Sequence, residues 1–388
     1  MRPLSISRAA ATAQPSGVRY MFELAKQYTD AINLTLGEPG YATPAYITEA
    51  AIRSLQSGQT KYTPNAGIRP LREAIAHKLR TENGIVCDPD RQLVVTAGAT
   101  QALMLVMSAI LDPGDEVILQ GPNWPDYQGQ IDMCGARAVY ALVDAAHEFK
   151  MTADIIEPLI TDKTRLIIVN SPSNPTGGVL HAKELADIAA LARRYGLYVI
   201  SDEPYERIVY DGFRQSSLAA LPDTEDFVIT VNSFSKTYAM TGFRVGYICA
   251  CARLTEVLIK LQENMIASVP EPMQRGAIEA IRHAQTDVAR MVEGYDRNRR
   301  TLVEGINRIR GFSCLLPRGA FYAFPSIREM GMCSREAAED IVRKTHVVTA
   351  PGSAFGPGGE GHLRICYACT HERIVEALDR LARAYGTK

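Results

Sequence analysis

The stretch FVITVNSFSKT, residues 227–237, decides how this chain is read. Its first half, Phe227 to Val231, is apolar and β-branched, the composition of a buried strand. Its second half sets Lys236 among the hydroxyls of Ser233, Ser235 and Thr237, with Arg244 eight residues further on. A lysine directly after a buried strand lies at the carboxyl edge of a sheet, where open α/β folds bind ligands. Flanking hydroxyls and a nearby arginine suit a phosphate. An amine beside a phosphate site suits a phosphorylated aldehyde held as a Schiff base, which points to pyridoxal phosphate (PLP). Most lysines are simply solvated, so the other groups this cofactor needs must be found as well.

Its pyridine nitrogen needs a carboxylate. Leu197 to Ser201 reads as a buried strand ending on Asp202, although an aspartate there also suits a turn or a helix cap. Its phenolate oxygen needs donors, and Tyr205 and Asn174 can supply them. Asn174 stands in the turn SPSNPTGG, residues 171–178, after the strand Leu166 to Val169. Its phosphate needs free backbone N–H groups. Gln92 to Thr96 is a strand, Ala97-Gly98-Ala99-Thr100 a tight turn, and Gln101 opens a helix whose N-terminus favours an anion. Its ring needs an apolar platform, and Trp124, the one tryptophan, follows the strand Glu116 to Leu119.

Ordered segments now carry a family likeness. They are LGEPGYATP (36–44), KYTPNAGIRPLREAIA (61–76), TAGATQAL (96–103), NPTGG (174–178), SDEPYE (201–206), SFSKTYAMTGFRVGY (233–247) and HLRICYA (362–368). With these the chain resembles the class I/II aminotransferases of PLP fold type I, the aspartate aminotransferase superfamily, along nearly its whole length. The resemblance implies Lys236 as Schiff-base lysine and proton shuttle, Asp202 as pyridinium partner, and Asn174 and Tyr205 on the phenolate oxygen. It implies Trp124 as stacking ring and Ala99, Thr100, Ser233, Ser235 and Arg244 as phosphate cradle. Tyr62 would reach the phosphate from a neighbouring subunit, making a homodimer. Gly37, Trp124, Asn174 and Arg364 would contact substrate, Arg364 clamping its α-carboxylate. The implied reaction moves an amino group from an L-amino acid to a 2-oxo acid by a ping-pong route.

The substrate side chain is not fixed by these residues. No arginine or lysine stands where aspartate-dedicated members carry one; Thr100 and Asn264 occupy those places, Arg19 is the one candidate substitute, and Asn123 replaces a common aromatic. A carbon–sulfur β-lyase, a decarboxylase or cyclopropane-forming synthase, and a PLP-binding regulator share the fold. Too little chain precedes Pro15 for a helix-turn-helix, which weighs against the regulator.

The fold expected is α/β. Strands and helices alternate from about Thr48 to Ala284, giving a mostly parallel sheet with helices on both faces, and a long charged helix at Val288 to Ile309 leads to a smaller α+β domain. By resemblance the sheet is seven-stranded and mixed. The domains expected are 1–44, packing with the small domain, 45–287, binding the cofactor, and 288–388. A length of 388 residues exceeds one ~150-residue domain. Net charge −1 and pI near 6.7 give no footprint for nucleic acid. No run approaches the ~20 apolar residues of a membrane span. Met1 to Gly17 lacks the apolar core of a secretory signal, and eight scattered cysteines suit a reducing cytosol, so the location expected is cytoplasmic. His362, Cys366, Cys369 and His371 are close in sequence, but strand alternation splits them between faces, and no metal is expected. The GPGGEG run at 356–361 reads as a loop, not a dinucleotide motif.

Overall fold

The computed structural model describes Ile6 and residues 17–388; the reading of Met1 to Gly17 as lacking a signal falls almost wholly outside that range. Twelve strands occur in the described residues. They are β1 (Ile32–Asn33), β2 (Leu93–Thr96), β3 (Glu116–Gly121), β4 (Arg137–Leu142), β5 (Thr164–Asn170), β6 (Tyr198–Asp202), β7 (Val228–Ser233), β8 (Gly246–Cys249), β9 (Tyr322–Ala323), β10 (Val347–Val348), β11 (Ala350–Pro351) and β12 (Leu363–Cys366).

Seven of them form one sheet in the order β2-β8-β7-β6-β5-β3-β4, in which β8 alone runs against the rest. The apolar runs are continuous because both faces are covered. In β3, Val117 and Leu119 pack with Leu103 and Val106 of the helix Gly98–Ile110, while Ile118 packs with Leu185 and Ile188 of the helix Ala182–Tyr195. In β5, Leu166 and Ile168 join the first cluster, and Ile167 and Val169 the second. The two-residue period of a strand thus feeds two cores at once.

This topology positions the site. The carboxyl ends of β2, β3, β5, β6 and β7 share one edge, and antiparallel β8 brings its beginning there, with Gly246 beside both Thr96 and Ser233. Arg244, two residues before Gly246, therefore stands among the strand ends.

The helix predicted from Gln101 starts three residues earlier, at Gly98. Gly98 has φ +80°, which a residue with a side chain rarely adopts, and a Cβ there would overlap the Arg244 guanidinium. The small-residue turn is thus the first turn of the helix. The charged stretch predicted at 288–309 is a 23-residue helix, Gln285–Asn307. Beyond it lies an antiparallel three-stranded sheet, β11-β12-β9. Strand β1 pairs in parallel with β10, Ile32 opposite Val347, which sets the residues just before Gly37 against the chain's last third. Among the described residues no helix is long and apolar enough to cross a membrane, and no three His, Cys, Asp or Glu side chains gather as metal ligands would.

Candidate active site

The strand ends surround a cavity of about 300 Å³. Its lining includes Lys236, Asp202, Tyr205, Ala99, Thr100, Trp124, Asn174, Ser233, Ser235, Arg244, Gly37 and Arg364, residues drawn from positions 37 to 364 of the chain.

Lys236 sits in a single helical turn, Phe234–Thr237, directly after β7. Its Nζ donates to the Gly37 carbonyl at 2.6 Å. Burial lowers its pKa to about 8; the positive charges of Arg244 and Arg364 act in the same direction, against Cys366 and Glu38. The amine is therefore about half free of its proton near pH 8.

Asp202 ends β6 and is 3% exposed. One carboxylate oxygen, Oδ2, accepts a hydrogen bond from the Tyr127 hydroxyl, while Oδ1 is buried with no partner among the described residues. Burial raises the Asp202 pKa to about 7, opposed by the Tyr127 hydrogen bond. A buried carboxylate oxygen with no donor is costly, and a protonated ring nitrogen is the kind of donor that would satisfy it. Trp124 packs edge-to-face on Tyr127, ring centres 5.2 Å apart, so platform and carboxylate are braced by one tyrosine.

At the other end, the helix Gly98–Ile110 opens with no side-chain cap. Ala99 and Thr100 of its first turn line the cavity together with Ser233, Ser235 and Arg244. Arg244 donates to Ser235 Oγ at 3.4 Å and is steadied by the Thr241 and Ala97 carbonyls at 2.9 and 3.4 Å. An uncapped helix start, two hydroxyls and a guanidinium form an anion site of phosphate type.

Arg364, on β12, is 5% exposed. Its Nη1 donates to Asn174 Oδ1 at 3.0 Å and its Nη2 to the Thr35 carbonyl at 2.5 Å. Its guanidinium carbon lies 4.6 Å from the ring centres of both Tyr322 and Phe355. Neither partner is an anion, so the positive charge stays unneutralised, and Nε is buried without an acceptor. A guanidinium in that state can receive a carboxylate.

Tyr62 is not brought to the cavity: it is 91% exposed on the surface of this chain. Arg19 and Asn264 are exposed and outside the lining. Asn123 is 5% exposed, with its Nδ2 unpartnered, beneath Gly356 and likewise off the cavity wall.

Sequence reasoning missed Tyr127, Asn170, Tyr322 and Phe355. Tyr127 stands three residues after Trp124 on the turn that opens the helix Asp126–Met133, so one-turn spacing offered a signal. Asn170, at the end of β5, accepts from the Asn174 N–H at 2.9 Å and donates to the Asp202 carbonyl at 3.0 Å, tying two strand ends together. Tyr322 and Phe355 carry no local signal, since their nearness to Arg364 is purely tertiary.

Comparison with known proteins gives the family. The family described as aminotransferase class I and II matches residues 29–381. The chain is 39% identical over 376 residues to the aspartate aminotransferase of Pyrococcus abyssi, covering 96% of each chain. It is 37% identical over 387 residues to aromatic-amino-acid aminotransferase 2 of Thermococcus litoralis, covering 99% of each. A crystal structure of the aromatic aminotransferase of Pyrococcus horikoshii superposes with a TM-score of 0.89 at 39% identity, covering 94% of this chain and 98% of that one. The chain belongs to the class I and II aminotransferase family and is an enzyme of the PLP fold type I architecture. Members use pyridoxal 5′-phosphate with amino acid and 2-oxo acid substrates, and the buried oxygen of Asp202, the anion site and Lys236 fit that cofactor.

Proposed function

We propose that this aminotransferase works in two half-reactions, taking the amino group from an L-amino acid in the first and giving it to a 2-oxo acid in the second, with Lys236 as both covalent anchor and proton carrier. The observation that carries this reading is the juxtaposition, in one cavity, of an amine titrating near 8 with an unneutralised Arg364 and a half-satisfied Asp202.

Arg364 fixes the substrate α-carboxylate through its two-pronged face, with Asn174 and the Thr35 carbonyl holding the guanidinium in plane. The aromatic rings of Tyr322 and Phe355 keep water off that ion pair. When bound, the cofactor supplies a ring that accepts the electrons left behind as the α-proton departs. Asp202 Oδ1 would accept from a protonated ring nitrogen, and Tyr127 holds the carboxylate through Oδ2. Tyr205, whose hydroxyl burial keeps protonated, would donate to the ring oxygen, joined by the Asn174 amide N–H₂. With the cofactor bound, Lys236 Nζ would hold it, would take the substrate α-proton, and would return that proton to the cofactor's carbon on the far side of the shared nitrogen. Its lowered pKa makes it a base at neutral pH, and such a group contributes roughly 10²–10⁴-fold.

Within this reading the described residues of 1–44 pack with 288–388 as a small domain, and 45–287 forms the large one; the β1–β10 pairing supports it. Two chains associate so that Tyr62 of each reaches the other's phosphate. The cytoplasm is the proposed location.

The test is the visible spectrum of the purified holoenzyme during addition of single amino acids. Loss of the absorbance of the lysine-held cofactor, restored by a 2-oxo acid, is the expected result, and the fastest donor names the substrate class. Steady ammonia release with no loss of absorbance would make the chain a carbon–sulfur lyase instead. A spectrum that responds to no amino acid would leave a binding regulator.

A further inference from the structure

Tyr322 belongs to none of the roles above except as a wall of Arg364. Its position is more particular than that. It lies on β9, opposite Cys366 of β12, so it comes from the three-stranded sheet and not from the sheet that carries Asp202 and Lys236. It is 1% exposed and lines the cavity. Its ring faces the Arg364 guanidinium, and its hydroxyl lies 3.0 Å from the Tyr205 hydroxyl. The same hydroxyl presses on Gly37 so closely that any Cβ there would overlap it, and the Gly37 carbonyl in turn holds Lys236 Nζ. Tyr205 is the only hydrogen-bond partner of the Tyr322 hydroxyl among the described residues.

Two hydroxyls at that distance share one hydrogen between them, and either can be the donor. The ambiguity disappears once Tyr205 has another acceptor. A phenol has a single O–H, so if Tyr205 gives it to the cofactor's ring oxygen, the bond between the two tyrosines must run from Tyr322 to Tyr205. A hydroxyl that accepts a hydrogen bond becomes a better donor, by roughly 10–30% per bond in a chain. The nearby Arg364 charge sharpens the Tyr322 O–H as a donor at the head of that chain. Burial keeps both phenols protonated over the working pH range, so the chain persists.

We propose that Tyr322 is a positioning residue for the reaction, whose hydroxyl donates to Tyr205 and thereby fixes the direction and strength of the Tyr205 hydrogen bond to the cofactor's ring oxygen. The inference rests on the reading of Tyr205 given above. A donor on that oxygen stabilises its negative charge and lowers the affinity of the adjoining Lys236 nitrogen for a proton. Weakening the donor must raise it.

The experiment is a pH titration of the visible band in the purified holoenzyme, comparing wild type, Tyr322→Phe, Tyr205→Phe and the double variant. Tyr322→Phe keeps the ring against Arg364 and removes only the hydroxyl. The midpoint is expected to rise by roughly 0.5 unit, a fraction of one hydrogen bond. Tyr205→Phe should raise it further, and adding Tyr322→Phe to that variant should change nothing, because the chain is already cut. In the same variants kcat should fall with Tyr322→Phe while KM for the amino acid stays within about twofold, since the carboxylate clamp keeps its ring. An unmoved midpoint in Tyr322→Phe, or an equal shift with and without Tyr205, overturns the inference while leaving the cofactor reading intact. If wild type forms no visible band with added PLP, both fall together. Should Tyr322→Phe prove unstable, Tyr322→His, which retains a donor, is expected to keep part of the wild-type midpoint, and a midpoint in that variant matching Tyr205→Phe would equally overturn the proposal.

Discussion

Lys236 shows how much one side chain depends on its surroundings. An amine in water titrates near 10.5, and here burial, with two guanidinium groups, brings it to about 8. Covalent capture of the cofactor by the apoenzyme requires the unprotonated amine. The second-order rate of capture, followed by absorbance after mixing apoenzyme with PLP, should therefore rise about tenfold per pH unit below 8 and level off above it. Lys236→Ala should abolish capture and cut the half-reaction rate by roughly 10²–10⁴-fold or more, while loosely held PLP remains detectable by equilibrium dialysis. Arg364→Lys keeps a charge but loses the fork and the aromatic sandwich. It should lower kcat/KM for the amino acid by roughly 10–100-fold, the worth of one charged hydrogen bond of about 1.5–3 kcal/mol.

At the scale of elements, the turn that follows β6 is anchored from behind. Asp202 faces the cavity, and Glu203, next in the chain, turns away into a buried polar network. Glu203 accepts from Ser201 and Ser217 hydroxyls at 2.7 Å each. Glu206 pairs with Lys78 and accepts from Asn83 Nδ2 at 2.6 Å, and Lys78 also donates to Asn83 Oδ1 at 2.9 Å. Lys78 and Asn83 bracket the junction where the helix Arg69–Lys78 runs into a single π-helical turn, Leu79–Asn83. Tyr205 thus sits between two fastened glutamates. Lys78→Met would strand a buried charge on Glu206 and should lower unfolding free energy in urea by about 3–5 kcal/mol, with Lys78→Met/Glu206→Leu recovering most of it. Burial, followed by the charge of Glu206, raises the Glu203 pKa from 4.5 to about 7. The folded protein then holds a proton that the unfolded chain releases between those values. This contribution is complete below pH 4.5 and is lost as pH rises toward 7. Glu203→Gln, which does not titrate, should gain on wild type by about 3 kcal/mol between pH 4.5 and 7.5. A constant difference across that range would mean Glu203 is already ionised.

For the whole molecule, the dimer proposed above would involve side chains that the single chain leaves exposed. Tyr62 is 91% exposed, and Ile52 and Leu55 on the helix Ala45–Gln56 are about half exposed. In the proposed assembly Tyr62 adds one hydrogen bond to a charged phosphate. Light scattering should give a dimer, and Tyr62→Phe should weaken PLP affinity by roughly 10–100-fold without dissociating it. A monomer that retains full PLP affinity would remove Tyr62 from the site.

Much of this was legible in the sequence because the family's chemistry lies in short segments at strand ends. Lys236, Asp202, Asn174, Trp124 and the Ala99–Thr100 turn each follow an apolar run, and a strand's end is a local property of composition. The alternation of strands and helices follows from the same local periods, whereas the mixed seven-stranded sheet was implied only by the family resemblance. Other features needed the folded chain. Tyr127, Tyr322 and Phe355 read as ordinary core aromatics until the fold sets them against Asp202, Tyr205 and Arg364. The same holds for the Lys78–Glu206 pair, separated by 128 residues. Nor could the lowered pKa of Lys236 or the raised one of Asp202 be given a value from residue order, because burial is the first cause of both. Sequence alone determined which chemical groups the chain owns and the strand ends that present them. Tertiary structure decided which of those groups lose water and meet, and desolvation and contact are properties of the packed chain, not of neighbours along it.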